Sequence, residues 1–67
     1  MAIHKVIEVL SQSEKGWEDA AALAVRDAAK TVKGIKSIYI SNFQADVREN
    51  KIVQYRINAK LTFEVKE

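Results

Sequence analysis

The 67-residue sequence contains no cysteine, only two glycines and a single histidine. Without cysteine, the chain can form neither a disulfide nor a thiolate metal site. Gly16 and Gly34 are too isolated to form a glycine-rich phosphate loop. His4 has no clear acidic partner nearby in the sequence, so we interpret it as structural. The lack of these residue types favours a protein that is not an enzyme. An enzyme would need a general acid and a general base, and this chain would have to bring them together from different subunits.

Long charged runs and long apolar runs are also missing. Eleven Lys and Arg are interleaved with nine Asp and Glu, for a net charge of +2, and no basic block typical of nucleic-acid binding appears. The longest apolar run, Ala20–Val25, is too short to span a membrane, and the first residues lack the pattern of a signal peptide. We therefore expect a cytoplasmic protein with no nucleic acid and no membrane among its partners.

The strongest pattern in the chain is a strict alternation from Val53 to Val65. Every odd position in this stretch is apolar and every even position is polar. A β-strand points successive side chains to opposite faces, so the pattern predicts a strand with one dry and one wet face. The rest of the chain is expected to cover the dry face.

Two elements are predicted before this strand. Ile3–Leu10 is rich in β-branched residues and predicts a first strand. From Trp17 the apolar period changes to 3.6, which predicts a helix from about Glu14 to Lys33. Ser13 is the expected N-cap of this helix, and Gly34 is its expected C-terminal stop.

Ile35–Val47 is predicted as a second strand. Its apolar positions change parity midway, which predicts a β-bulge near Ser41–Asn42. Arg48–Lys51 is then predicted to form a tight hairpin turn, in which Asn50 is able to take a left-handed conformation. The order β-α-β-β predicts one α+β domain over residues 1–67, with a three-stranded antiparallel sheet wrapped on one helix.

The predicted lengths of the last strand and the helix indicate that the subunit forms an oligomer. Thirteen strand residues span roughly 43 Å, whereas a 20-residue helix spans roughly 30 Å. One helix therefore leaves part of the dry face uncovered, and an apolar patch of that kind usually marks an interface. Some of four apolar residues at the hairpin end are expected to be exposed: Phe43, Val47, Val53 and Tyr55.

Candidate binding residues are few. Asp46, Glu49 and Asn50 offer hard oxygen ligands for Ca²⁺ or Mg²⁺, completed by another subunit or by water; the alternative is a solvated turn. Arg56 and Lys60 on the wet face favour an anionic ligand such as coenzyme A; the alternative is solvated charges or subunit salt bridges. The spacing of Trp17 with the helix alanines indicates a core residue rather than a stacking platform.

Several local strings, together with the length and the order of elements, resemble the dodecin family over nearly the whole chain. The matching segments are Lys5–Glu8, Ser13–Gly16, Trp17–Ala21 and Tyr55–Val65. The resemblance implies a non-enzymatic subunit that assembles into a hollow homododecamer, built from trimers. Many dodecins bind flavins for storage or for protection against photochemistry. In those proteins a Trp of the second strand stacks on the flavin ring and a Gln of the third strand bonds its polar edge.

This sequence departs from the flavin-binding pattern at both positions. Ser37 stands where the Trp is expected and offers no aromatic face, although Tyr39 shares its side of the strand. Arg56 stands where the Gln is expected and adds a cation. The chain thus resembles a divergent branch for which calcium binding is described. The prediction is a shell that binds, stores or sequesters a small ligand or ion, calcium or an anionic cofactor. The alternative is a flavin-binding storage dodecin (riboflavin, FMN or FAD) with an altered pocket.

Overall fold

The computed structural model describes residues 3–65, which form three strands and one helix in the order β-α-β-β. The elements are β1 (Ile3–Ser13), α1 (Trp17–Ala28), β2 (Ile35–Arg48) and β3 (Lys51–Val65). The sheet is antiparallel in the order β1-β3-β2, so the strictly alternating strand lies at its centre. The predicted α+β class and the order of elements are confirmed. Of the predicted single domain, residues 1–2 and 66–67 lie outside the described part.

The alternation along β3 determines where the core lies. Ile57, Ala59 and Leu61 point to the side that α1 covers, and all three are buried. Ala20 of α1 packs with Ile57 and Ala59, and its short side chain lets the helix approach the sheet closely. Partly buried apolar residues surround this core: Val9, Trp17, Ala21, Ile38 and Ile40. We call this side of the sheet the helix face and the opposite side the open face.

The helix begins later than predicted, and Ser13 is not its N-cap. Ser13 is the last residue of β1, and no side chain of residues 3–65 caps α1. The Ser13 hydroxyl instead accepts the backbone N–H of Lys15 (2.9 Å) and donates to Asp19 Oδ2 (2.5 Å). Gly16 then connects the strand to the helix with a φ of 153°, a backbone conformation that residues with a side chain rarely adopt. The serine therefore ties the end of β1 to the first turn of α1.

The helix also ends earlier than predicted, and Gly34 is not its stop. After Ala28 the hydrogen-bond pattern changes to that of a 3₁₀ turn, since the N–H groups of Lys30 and Thr31 donate to the carbonyl oxygens three residues earlier in the chain. Gly34 has a φ of 80° and lies against β3, where its carbonyl accepts the N–H of Glu64 at 3.0 Å. A Cβ at Gly34 would stand 3.1 Å from the Glu64 carbonyl oxygen. Its role is thus to bring the chain back against the sheet.

No helix within residues 3–65 has the length and apolar character needed to cross a membrane.

The bulge and the hairpin turn are confirmed. The β2–β3 register shifts between Ile40 and Asn42, and the hydroxyl of the extra residue, Ser41, donates to the Asn58 carbonyl at 2.9 Å. At the turn, Glu49 and Asn50 have φ values of 52° and 65°. Two successive positive φ values are typical of the type I′ turn, whose twist matches that of a hairpin.

The short helix leaves much of the apolar surface uncovered. Twelve helical residues span about 18 Å, whereas the molecule is 52 Å long. Phe43 is 57% exposed and Val47 is 65% exposed at the hairpin end, and Val53 is also exposed. Tyr55 is only half-exposed, because it packs edge-on against Trp17 with ring centroids 4.9 Å apart. The expected uncovered patch is therefore present. Other exposed apolar residues are Ile3, Val6, Leu10, Tyr39, Ile52 and Val65.

Candidate functional site

Arg56 lies on the open face of β3 and is held by acceptors from both neighbouring strands. In the sheet register, Gln12 of β1 and Gln44 of β2 lie directly opposite it. Its Nε donates to Gln12 Oε1 at 3.4 Å, and its Nη1 donates to Gln44 Oε1 at 3.2 Å. Its Nη2 donates to Asp46 Oδ2 at 2.8 Å. Each nitrogen of the guanidinium group therefore has an acceptor inside the same subunit.

The Arg56–Asp46 contact is an ion pair at the surface. The Arg56 side chain is 34% exposed and the Asp46 side chain is 46% exposed. Water screens a pair with this exposure, so its contribution to stability is about 0–1 kcal/mol. Its main consequence is electrostatic, because it cancels two charges that a ligand on this face would otherwise meet.

A small cavity opens beside this pair. Its volume is about 90 Å³, and its lining residues are Leu10, Asn42, Gln44, Arg56, Ile57 and Asn58. Two amides flank Arg56 along its own strand, Gln54 and Asn58, and their side-chain oxygens are buried without a donor among residues 3–65. A buried acceptor without a partner is unusual in a folded protein. The open face therefore carries two acceptor oxygens that the described part of the subunit does not use.

Ser37 and Tyr39 lie at the other end of the open face. Ser37 is opposite Thr62 and Tyr39 is opposite Lys60 in the sheet register, and both are exposed. Thr62 lies six positions beyond Arg56 along β3, which is about 20 Å at 3.3 Å per residue. The structure therefore does not bring Ser37 and Arg56 together within one subunit. A ligand that contacts both positions of one subunit would have to span this distance.

The candidate metal ligands lie at the hairpin end of β2 and β3. Asp46 is engaged by Arg56, whereas Glu49 and Asn50 are exposed residues of the hairpin turn. Within residues 3–65, no three His, Asp or Glu side chains come together in a group that could hold a metal ion. Calcium takes six to eight oxygen ligands, so the described part of one subunit does not supply a complete calcium site. These residues fit calcium only as part of a site shared between subunits or completed by water.

Trp17 packs against the core, in agreement with its predicted structural role. Its Nε1 donates to the Gln44 carbonyl oxygen at 2.9 Å. Its ring meets those of Phe43 (5.7 Å between centroids) and Tyr55 edge-on. His4 lies exposed at the far end of β1, opposite Glu64. Neither residue is part of the Arg56 site.

Sequence reasoning missed Gln12 and Gln44 as partners of Arg56. They are 44 and 12 residues from it in the chain, and no local motif connects them. The available signal was the strand pairing, since a polar residue at the centre of a sheet contacts the residues directly opposite it. The register of β1 on β3 was needed to use that signal.

The chain is similar to known proteins in both sequence and fold. A family model described as dodecin matches residues 3–66. The calcium dodecin of Mycobacterium tuberculosis is 30% identical over 66 residues, covering 98% of this chain and 93% of that protein. That protein is a calcium-chelating immunodominant antigen with a novel calcium-binding site, and its crystal structure superposes with a TM-score of 0.81, covering 96% of this chain and 91% of that one.

Two further crystal structures share the fold at lower identity. A point mutant of the Thermus thermophilus dodecin has a TM-score of 0.94 at 22% identity, covering all of both chains. The Streptomyces coelicolor dodecin has a TM-score of 0.92 at 21% identity, covering 98% of this chain and 94% of the other. At this identity the likeness establishes the fold alone. The family match over nearly the whole chain, together with the β-α-β-β fold, makes this chain a member of the dodecin family.

Proposed function

We propose that this chain is the subunit of a non-enzymatic, hollow homododecamer, built from trimers, that binds, stores or sequesters a small ligand or ion. The observation that carries the proposal is the apolar surface that a 12-residue helix leaves uncovered on a 52 Å molecule. Burial of apolar surface is the main driving force of association. Further copies of the chain are the expected partner, because a 67-residue domain without disulfides is marginal alone.

The ligand site is expected to form between subunits on the open face. Ser37 and Tyr39 lie about 20 Å from Arg56 along the strand direction, so one copy does not surround a small molecule with all three. A neighbouring copy related by symmetry would place its own Ser37 and Tyr39 near Arg56. This arrangement would use the polar groups of the open face that have no partner within the described residues, the side-chain oxygens of Gln54 and Asn58.

Calcium is the first ion to test, since a 30% identical relative is a calcium dodecin. Asp46 and Glu49 are the proposed ligands, with the remaining oxygens supplied by a neighbouring subunit and by water. We expect calorimetry to detect Ca²⁺ binding to the assembled protein, and we expect Glu49→Gln to weaken it about tenfold, because a carboxylate becomes a neutral amide. Glu14→Gln changes the same charge away from the hairpin and serves as the matched control. Equal affinities for the two variants would reject the hairpin site.

A flavin ligand with an altered binding mode is the second candidate. The exposed ring of Tyr39, on the same face as Ser37, is the observation that favours it. We expect riboflavin fluorescence to remain nearly unquenched by the unmodified protein, because Ser37 offers no stacking surface. The double variant Ser37→Trp/Arg56→Gln is expected to quench it strongly, since it supplies the ring and the amide. Tight quenching by the unmodified protein would instead support the flavin-binding alternative.

A further inference from the structure

The Asp46 carboxylate opposes the binding of an anionic ligand to Arg56 on the open face. A phosphate group binds an arginine through the N–H donors of its planar fork. Here Nη2 donates to Asp46 at 2.8 Å, and Nε and Nη1 donate to Gln12 and Gln44, so three of the five N–H donors are used. A phosphate that accepted from the remaining N–H groups of Nη1 and Nη2 would lie beside the Asp46 carboxylate, which repels it.

Charge rather than size is the obstacle to such a ligand. The cavity beside Arg56 has a volume of about 90 Å³, enough for a group of several atoms. Its polar lining consists of Arg56 and the amides of Asn42, Gln44 and Asn58. If Asp46 did not neutralise the guanidinium group, this lining would present one net positive charge and several donors to an anion.

We propose that Asp46 is a specificity-determining residue, which excludes phosphate-bearing ligands from Arg56 and leaves the open face to neutral molecules and cations. The proposal rests on the ligand site of the proposed function. The sequence alone left two ligand classes open, calcium and an anionic cofactor. The proposal disfavours the anionic cofactor, because such a ligand needs an Arg56 that is not paired with a carboxylate.

The test is a calorimetric titration with inorganic pyrophosphate of the unmodified protein and of Asp46→Asn. Asparagine keeps the shape of the side chain and one acceptor oxygen but removes its charge. We expect Asp46→Asn to bind pyrophosphate at least about tenfold more tightly, and we expect this gain to shrink as salt is added. Because the Asp46 side chain is 46% exposed, the substitution is expected to leave the fold intact.

Three further variants make the result specific. Glu8→Gln removes the same charge elsewhere on the open face, and we expect no gain in pyrophosphate affinity from it. Asp46→Glu keeps the charge and is expected to retain the weak binding of the unmodified protein. Adding Arg56→Gln to Asp46→Asn is expected to abolish the gain, because the cation that attracts the anion is then absent.

Equal pyrophosphate affinity of Asp46→Asn and the unmodified protein would overturn the proposal, and so would an equal gain from Glu8→Gln. Circular dichroism and the native mass of each variant are recorded on the same samples. A failure of the proposed shell appears as a missing twelve-subunit mass, whereas a failure of the Asp46 proposal appears only in the titrations.

Discussion

Replacing Val47 with Glu is expected to split the assembly into smaller species while the subunit remains folded. Val47 is 65% exposed at the hairpin end and lies opposite Ile52. In a lone subunit such a surface change alters stability by about 0.5 kcal/mol or less. At an apolar contact between subunits, it would instead bury a carboxylate without a partner, which costs several kcal/mol at each contact. Sedimentation velocity measures the size, and circular dichroism measures the fold.

The matched control for this prediction is Lys51→Glu at the same hairpin. Lys51 lies opposite Arg48 in the register, so a Glu at this position gains a cross-strand partner of opposite charge. No apolar side chain is removed, and the assembly is expected to persist. If Val47→Glu sediments like the unmodified protein, the hairpin end is not part of an interface.

Replacing Ile57 with Ala is expected to cause the largest loss of stability of any single truncation proposed for this chain. Ile57 is 1% exposed and packs with Ala20 and Ala59 at the centre of the core. Truncating a fully buried Ile to Ala costs about 2–5 kcal/mol. A domain has only about 5–15 kcal/mol in total, so much of the stability would be lost. Urea unfolding measures the difference at one fixed protein concentration, because assembly contributes to stability by mass action.

Ile52→Ala is the control for this truncation, since it removes the same atoms from the same strand. Ile52 is 48% exposed, and its loss is expected to lower the free energy of unfolding by much less. If both variants lowered the free energy of unfolding by a similar amount, burial within the single subunit would not determine the loss. Both side chains would then be equally covered in the assembly.

The strands could be predicted well from sequence because their signals are local. The alternation from Val53 to Val65 is set by the two-residue period of a strand, and the parity change in β2 marks the bulge at Ser41. The turn followed from Asn50, which tolerates a positive φ.

The ends of the helix could not be predicted in the same way. Its 3.6-residue pattern continues past Ala28, so the tight turn there has no apolar signal. At the other end, Ser13 looks like an N-cap, but its hydroxyl is used by Lys15 and Asp19 while its backbone completes β1. Sequence spacing does not reveal which of two nearby groups a hydroxyl will bond.

The sequence pointed to Arg56 and Asp46 as candidate binding residues, but it did not predict that their side chains contact each other. Arg56 was found from its place on the wet face, but its bonds to Gln12, Gln44 and Asp46 depend on the pairing of three strands. Asp46 was predicted as a metal ligand of the turn, and that role remains a prediction. Its pairing with Arg56 is visible only once the register of the hairpin is known.

The central claim is that the uncovered apolar surface requires further copies of the chain. Native mass spectrometry of the unmodified protein tests it most directly. For twelve subunits of 7.6 kDa each, we predict one dominant species of about 91 kDa that persists on dilution. A folded single subunit of 7.6 kDa at high protein concentration would contradict the account.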